Sequence, residues 1–394
     1  MKEGLEYKTL GDIVTFTRGL TYKKSDEVEF STKVVLRSTN IDVDNNSLNI
    51  DELKYLNENI EFEEEKLIRK GSILMCMSNG SKKHLGKVAL IEHEYKYAFG
   101  GFMGLLTPVI NIDSKYLYYT LTTPKYKKYI NSLSEGANIN NLKIKDIQNY
   151  IIPFFPIDQQ RRIVSYLDSS FQLIDEIKEK AQKSLSEAKA LFQSALAEAM
   201  EPKEGWEEKK LNEVSNYSIG LTYKPSDVSN KGTIVLRSTN IQRDQLDLND
   251  IVRVNATIKE SLFVKIGDIL MCSRNGSSKL VGKVAIIDKL DEPMTFGTFM
   301  MIIRSQYNDY LFHYFKSDGF RNQIKHGESN MINQITRYML NDVVLSIPPL
   351  STQKRIVSHL NKLSSNVKQM EERYQKIVEE CDALKQAMLR DVFE

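Results

Sequence analysis

Arginine can donate two parallel hydrogen bonds to guanine and asparagine can exchange two with adenine, while serine and threonine hydroxyls commonly take phosphate oxygens. The chain sets these types side by side in Arg37-Ser38-Thr39-Asn40, directly after the apolar run Val34-Val35-Leu36, and repeats them unchanged as Arg237-Ser238-Thr239-Asn240. The plainer alternative is structural: Arg37 pairs with a carboxylate and Asn40 closes a turn. A second set is more basic, Ser78-Asn79-Gly80-Ser81-Lys82-Lys83 against Ser273-Arg274-Asn275-Gly276-Ser277-Ser278-Lys279. Asn-Gly is a hairpin-turn signal, so this loop reads as a projecting tip. Its lysines suit phosphate and would make binding salt-dependent; the alternative is a solvated hairpin. Lys23 and Lys24 with Lys224, and Asn138-Ile139-Asn140-Asn141-Leu142-Lys143 with Asn330-Met331-Ile332-Asn333-Gln334, are weaker candidates. Where the copies differ, Met77 against Arg274 and Lys82 against Ser278, they could read different bases.

Catalytic patterns are not met. Gly80-Ser81-Lys82-Lys83-His84-Leu85-Gly86-Lys87-Val88 has one residue too many for a phosphate loop, and Val88, like Val284 in the second copy, stands where Ser or Thr would hold magnesium. Phe99-Gly100-Gly101-Phe102 opens no long helix, so a dinucleotide fingerprint is unsupported. Ser346-Ile347-Pro348-Pro349 lacks the Asn or Asp with which an amino-methyltransferase holds its target nitrogen. The histidines form no HExxH pair, and Cys76, Cys272 and Cys381 have no metal-ligand spacing; they read as reduced thiols of an intracellular protein, expected in the cytoplasm. No catalytic and no metal-binding residue is assigned. The net charge of +2 leaves any charge argument to particular loops, because local patches set the field at a surface. No apolar run approaches the ~20 residues of a membrane span, and the first residues lack the apolar core of a signal peptide.

The elements that carry these loops occur twice. Gly19-Leu20-Thr21-Tyr22-Lys23 returns as Gly220-Leu221-Thr222-Tyr223-Lys224, and Gly71-Ser72-Ile73-Leu74-Met75-Cys76 as Gly267-Asp268-Ile269-Leu270-Met271-Cys272. Gly86-Lys87-Val88-Ala89 returns as Gly282-Lys283-Val284-Ala285, with the order of matches never changing. Short apolar runs at 34–36, 73–76, 87–91, 102–109 and 150–153 predict strands, and 116–121 and 126–133, with 310–315 and 320–324, predict small helices. After Pro156 and again after Pro349, about forty residues without Gly or Pro predict a long helix of roughly 60 Å. The second has an apolar seam at Leu360, Leu363, Val367, Met370, Tyr374, Ile377, Cys381, Leu384 and Met388, alternating steps of three and four. Shifted by the repeat, that seam falls on Leu167, Ser170, Ile174, Ile177, Ala181, Ser184, Ala188, Leu191 and Ala195 in the first. The expected architecture is therefore α+β: two β-rich domains with small helices, separated by two long helices in an antiparallel coiled coil, with a pseudo-two-fold internal repeat. The boundaries expected are 1–155, 156–201, 202–348 and 349–394, with a reader domain at each end of a rod.

Taken together, the doubled Gly-Asp-Ile-Leu-Met-Cys type strand, the Asn-Gly-Ser and Gly-Lys-Val-Ala that follow it, and the Pro-x-x-x-Gln-x-Arg-Ile-Val-x-x-Leu helix starts at Pro156 and Pro349, with Gln160 and Gln353, resemble the specificity (S) subunit of type I restriction-modification systems over essentially the whole chain. The family's helix start often has two prolines and a Glu-Gln pair; Pro348-Pro349 keeps the prolines, Phe155-Pro156 does not, and both copies lack the Glu. The resemblance implies a non-catalytic subunit whose two target recognition domains each read half of a bipartite sequence in double-stranded DNA. It implies that the helices act as a spacer and that two modification subunits dock on them and methylate adenine with S-adenosylmethionine. Restriction subunits that use ATP and magnesium can join that core, and no cofactor belongs to this chain. Two rivals remain at this stage. One is a non-enzymatic coiled-coil scaffold with duplicated protein- or glycan-binding β domains, which a DNA gel shift with the partner subunits would separate. The other is a methyltransferase with an unrecognised site, which binding of S-adenosylmethionine by the isolated chain would support.

Overall fold

A computed structural model describes residues 4–42, 45–109, 111–134, 141–324 and 333–394. The candidates at Asn138, Ile139 and Asn140, and at Asn330, Met331 and Ile332, lie outside the described residues. The chain divides into two compact units, Met1–Lys180 with Lys376–Glu394, and Ala181–Gln375.

In the first unit the strands are β1 (Glu6–Thr9), β2 (Val14–Arg18), β3 (Glu27–Val28), β4 (Lys33–Leu36), β5 (Lys54–Leu56), β6 (Ile73–Cys76), β7 (Val88–Leu90), β8 (Ala98–Phe99), β9 (Met103–Pro108) and β10 (Ile151–Phe154). Helices α1 (Leu10–Ile13), α2 (Ser114–Thr120), α3 (Pro124–Ser134) and α4 (Ile144–Gln148) accompany them, and the long α5 (Ile157–Met200) begins here. One four-stranded sheet has the order β2-β9-β6-β7 and is antiparallel; the other has the order β3-β5-β4-β8, with β4 and β8 parallel. The pairing of β1 with β10 brings the start of the domain to the start of α5.

The second unit repeats this plan. Its strands are β11 (Glu207–Lys210), β12 (Asn216–Ile219), β13 (Val228–Ser229), β14 (Thr233–Leu236), β15 (Ile241–Gln242), β16 (Gln245–Leu246), β17 (Val252–Val254), β18 (Ile269–Cys272), β19 (Val284–Ile286), β20 (Met294–Phe296), β21 (Met300–Arg304) and β22 (Val344–Ile347). Its helices are α6 (Leu211–Val214), α7 (Asn308–Tyr314), α8 (Asp318–Ile324), α9 (Arg337–Asn341) and most of α10 (Leu350–Phe393). The sheets run β12-β21-β18-β19 and β13-β17-β14-β20, with β14 and β20 parallel.

Strands β6 and β18 explain the unbroken apolar run Ile-Leu-Met-Cys in both copies. Alternate side chains of a strand point to opposite faces, and a strand covered on both faces cannot alternate with polar residues. Ile73 and Met75 enter the core beneath the small helices, while Leu74 and Cys76 enter a second core with Leu36, Phe99 and Leu105. Ile269 and Met271 divide from Leu270 and Cys272 in the same way. Burial pushes the Cys76 thiol up to about 11 and raises that of Cys272, so both are packing groups, and Cys381 is also buried as a free thiol. The turn ahead of each strand needs a left-handed residue, supplied by Gly71 (φ +82°) and Gly267 (φ +86°).

The two long helices pair antiparallel in each unit. In the first, Lys178 meets Asp382 at 2.9 Å and Lys385 meets Asp175 at 2.6 Å, while Leu389 and Phe393 join the domain core beside Leu167. In the second, Lys189 meets Glu371 at 2.6 Å, and Phe192, Leu196 and Leu360 form a small core. The residue numbers of each ion pair add to the same total, as an antiparallel register requires. Among the expected seam residues Leu167, Ile174 and Leu360 are buried, and Leu363, Val367, Met370, Tyr374 and Ile377 are half-buried. Ile177, Leu191 and Leu384 are not in the seam: they are 52%, 62% and 50% exposed. Helix α5 buries Ile163, Leu167, Ile174, Leu185, Phe192 and Leu196, which includes an eleven-residue step from 174 to 185. A straight helix drifts by about 20° per heptad against a strict seven-residue repeat, so the inward face moves on by one position. At the end of α10 Lys385 takes the place expected for Leu384, its ammonium 5.3 Å from the Phe171 ring.

Each long helix is fixed at its start by a buried glutamine. Gln160 Nε2 donates to the Phe155 carbonyl (2.7 Å) and the Asn111 carbonyl (3.2 Å), and its Oε1 accepts from the Asp113 N–H (2.8 Å). Gln353 Nε2 donates to the Pro348 carbonyl at 2.8 Å. The glutamine of the helix-start motif is therefore a joint between domain and helix.

Candidate nucleic-acid interface

Strand order brings the repeated loops together. Because β4 and β8 are parallel with Leu36 beside Phe99, they finish at the same edge. Because β6 and β9 are antiparallel with Cys76 beside Met103, β6 ends where β9 begins. The turn after β4, the loop after β6 and the turn from β8 into β9 therefore meet, and in the second unit the pairs Leu236 with Phe296 and Cys272 with Met300 do the same. Segment 19–22 lies against the last of these turns. A Cβ on Gly19 or Gly220 would fall 2.1 or 2.2 Å from the carbonyl oxygen of Gly100 or Gly297, so only glycine allows the approach.

The Arg-Ser-Thr-Asn turns are short 3₁₀ segments, Ser38–Asn40 and Ser238–Asn240. Asn40 is buried, accepts from the Arg37 N–H at 2.8 Å, and donates to the Asn49 and Glu52 carbonyls at 3.0 and 2.9 Å. Asn240 accepts from the Arg237 N–H at 2.9 Å and donates to the Asp247 and Asp250 carbonyls at 2.8 Å each. The expectation of base reading by Asn40 and Asn240 is corrected: these amides are buried and committed to closing the turn. Arg37 and Arg237 are half-buried, and the Nε of each is buried with no hydrogen-bond partner. Arg237 also pairs with Asp250 at 3.0 Å. Arg37 lies beside Tyr22, whose hydroxyl is raised by burial and by Glu27 and lowered in part by Arg37.

The two motifs read separately in the sequence form one joint. Asn79 Nδ2 donates to Ser38 Oγ at 3.0 Å, and Asn275 Nδ2 donates to Ser238 Oγ at 3.1 Å. The same amides accept from the Ser81 N–H (2.9 Å) and the Ser277 N–H (3.0 Å), which folds the basic loop back on itself. The Asn-Gly pair is not a two-residue hairpin tip. Gly80 and Gly276 lack the positive φ such a turn needs, and the loop instead carries 3₁₀ turns at Lys82–His84 and Ser278–Leu280. Ser81, Lys82, Lys83, Arg274, Ser277 and Lys279 are exposed, while Ser78 and Ser278 are half-buried. Burial and the Lys87 ammonium hold His84 below its ordinary value, so it adds no charge at neutral pH. Lys23, Lys24 and Lys224 are exposed on the 3₁₀ turns that follow segment 19–22 and its counterpart.

Two further contributors complete the cluster. Ser78 bridges Asn141, and Arg274 bridges Gln334, which draws the described ends of the weaker candidate stretches to the loop. Phe102, which the sequence places at the head of the apolar run 102–109, and its counterpart Phe299 stand exposed in the β8–β9 and β20–β21 turns. Their carbonyls also fix the alignment of the copies. The Ser78 and Arg274 amides donate to Phe102 and Phe299 respectively, both at 3.1 Å, so Arg274 is the counterpart of Ser78 and not of the buried Met77. Among the described residues no group of three or more His, Cys, Asp or Glu side chains is placed to hold a metal. Among those residues, too, no helix is long and apolar enough to cross a membrane.

Comparison with known proteins agrees with this doubled arrangement. The family described as "Type I restriction modification DNA specificity domain" matches residues 2–187 and again 203–379. The chain is 27% identical to the type I restriction enzyme EcoKI specificity subunit of Escherichia coli K12, over 100% of this chain and 89% of that protein. It is 24% identical to the StySPI specificity subunit of Salmonella potsdam, over the same shares. A solved structure reported as "Structural basis underlying complex assembly and conformational transition of the type I R-M system" superposes with a TM-score of 0.76 at 18% identity, covering 98% of this chain and 97% of the other. The HsdS subunit from Thermoanaerobacter tengcongensis superposes with a TM-score of 0.55 at 18% identity, covering 99% and 96%.

Proposed function

The chain belongs to the type I restriction-modification DNA specificity family, as its non-catalytic, sequence-specific DNA-recognition subunit, and from that membership we propose how its parts divide the work. Residues 1–155 and 202–348 act as two target recognition domains, each reading one half of a bipartite site in duplex DNA. Residues 156–201 and 349–394 act as the spacer. Two modification subunits bind the helical regions and use S-adenosylmethionine, and restriction subunits add to that core.

The observation that supports this reading is the duplicated joint: the same asparagine-to-serine hydrogen bond ties a basic loop to an Arg-Ser-Thr-Asn turn in both domains. Around that constant frame Lys83 and Lys279 are exposed counterparts, while Ser78 against Arg274 and Lys82 against Ser278 differ, which leaves an extra exposed cation at a different place in each domain. A constant frame with variable exposed groups suits two readers of related half-sites. Lys23, Lys24, Ser81, Lys82, Lys83, Lys224, Arg274, Ser277 and Lys279 are the proposed DNA contacts, with Arg37 and Arg237 at the turn. Phosphate contacts by these cations position the domain and base contacts specify the sequence.

The test is equilibrium binding of duplex DNA by the full chain assembled with its modification subunits. Lys82→Ala with Lys83→Ala should weaken binding and reduce the dependence of log affinity on log salt by about two phosphates' worth. An unchanged affinity and salt slope would place the loop away from DNA.

A further inference from the structure

Phe102 and Phe299 belong to none of the hydrophobic core clusters among the described residues. They are 73% and 55% exposed, although burying such a ring would stabilise the fold by roughly 2–3 kcal/mol. Their turns are nevertheless fixed. The Met103 N–H donates to the Gly100 carbonyl and the Met300 N–H to the Gly297 carbonyl, both at 2.8 Å. The Phe102 carbonyl accepts from Met77 (2.9 Å) and Ser78 (3.1 Å), and the Phe299 carbonyl from Ser273 (2.9 Å) and Arg274 (3.1 Å). The Gly100 and Gly297 N–H groups donate to Leu36 and Leu236, the residues just ahead of the two Arg-Ser-Thr-Asn turns. Each ring is thus held out on backbone tied both to the basic loop and to the arginine turn. In the second domain the Arg274 guanidinium lies 5.4 Å from the Phe299 ring, which sets a cation and an aromatic ring side by side at this turn.

A phenyl ring makes no conventional hydrogen bond to a base edge. Among the groups that base pairs present in the major groove, the 5-methyl of thymine is the apolar one. We propose that Phe102 and Phe299 are specificity-determining residues, one for each half-site, each packing its ring on the 5-methyl group of a thymine. The pre-formed turns remove most of the ordering cost of that contact. The inference rests on the reading of these loops as DNA-facing.

The test uses the full chain with its modification subunits and the duplex target mapped for the unaltered complex. Thymines are replaced singly by deoxyuridine, which removes only the methyl group. One such replacement in each half-site should weaken the unaltered complex about fourfold, the equivalent of one buried methyl. Phe102→Ala should abolish the sensitivity in one half-site only, and Phe299→Ala in the other. A half-site without thymine, a deoxyuridine penalty equal in variant and unaltered complexes, or no penalty at all would overturn the proposal. So would a ring that separates bases, seen as 2-aminopurine brightening with no methyl dependence. Phe102→Leu and Phe299→Leu, which keep an apolar contact, should retain part of the sensitivity and exclude a folding defect. Absence of any sequence preference in the unaltered complex would instead refute the underlying reading.

Discussion

Asn240 holds three hydrogen bonds from a fully buried position, two given to backbone carbonyls and one taken from a backbone N–H. Asn240→Ala leaves those backbone groups without partners and should cost about 2–3 kcal/mol in denaturant unfolding, with Asn40→Ala similar. A stability loss below about 0.5 kcal/mol with loss of one base preference would return these residues to the reading role. Asp268 gives a second residue-scale prediction. It is buried, carries two bonds of 2.8 Å from Arg304, and accepts the Lys265 N–H at 2.8 Å, where the first domain has Ser72. Asp268→Ala strands a half-buried guanidinium and should cost roughly 3 kcal/mol, measurably more than Ser72→Ala. Equal losses at both positions would contradict this. The Arg-Ser-Thr-Asn signature was legible as a site because its residue types are those that read bases. Its partition was not legible, because whether an asparagine faces solvent or its own backbone depends on burial by Asn49 to Glu52, chain distant from the motif. Phe102 was missed for the converse reason, since an apolar residue ahead of a strand looks like the strand.

Matching joints between the small and long helices differ in chemistry. The Tyr119 hydroxyl donates to Asp168, which also holds Lys115 at 2.9 Å, whereas the corresponding His313 Nε2 meets Asn361 Oδ1 at 2.9 Å. Burial, then the Lys316 ammonium, hold His313 down at about 4, opposed by the Asn361 hydrogen bond. A histidine lowered in the folded state means that the unfolded chain binds the extra proton. Stability from this group is full above the ordinary value of about 6.5, falls as pH drops, and levels off below about 4. Unfolding at successive pH values should therefore show a loss of up to roughly 3 kcal/mol across that window, reduced in His313→Gln. An identical pH profile for the variant would contradict it. At this scale the long helices were plain from their uninterrupted runs and proline stops. The inward face was less plain, because Leu191 and Phe192 are neighbours of similar hydrophobicity and only the accumulated twist of α5 decides which is buried.

For the whole molecule, one chain carries the same domain and the same helix start twice, so its likeness to a dimer is covalent. If the paired helices set the gap between half-sites, removing one heptad from each should change the number of unspecified base pairs while leaving both half-sites intact. Methylated sites with an unchanged gap would reject the helices as the ruler. The similarity of the two domains further predicts related, near-palindromic half-sites, and two unrelated half-sites would count against it. The most direct measurement is long-read methylation mapping of the host with and without this gene. The account predicts a bipartite motif, two specified half-sites separated by a fixed run of unspecified bases, that disappears with the gene. A methylation pattern unchanged by the deletion, or a lost motif that is one continuous word, would contradict it.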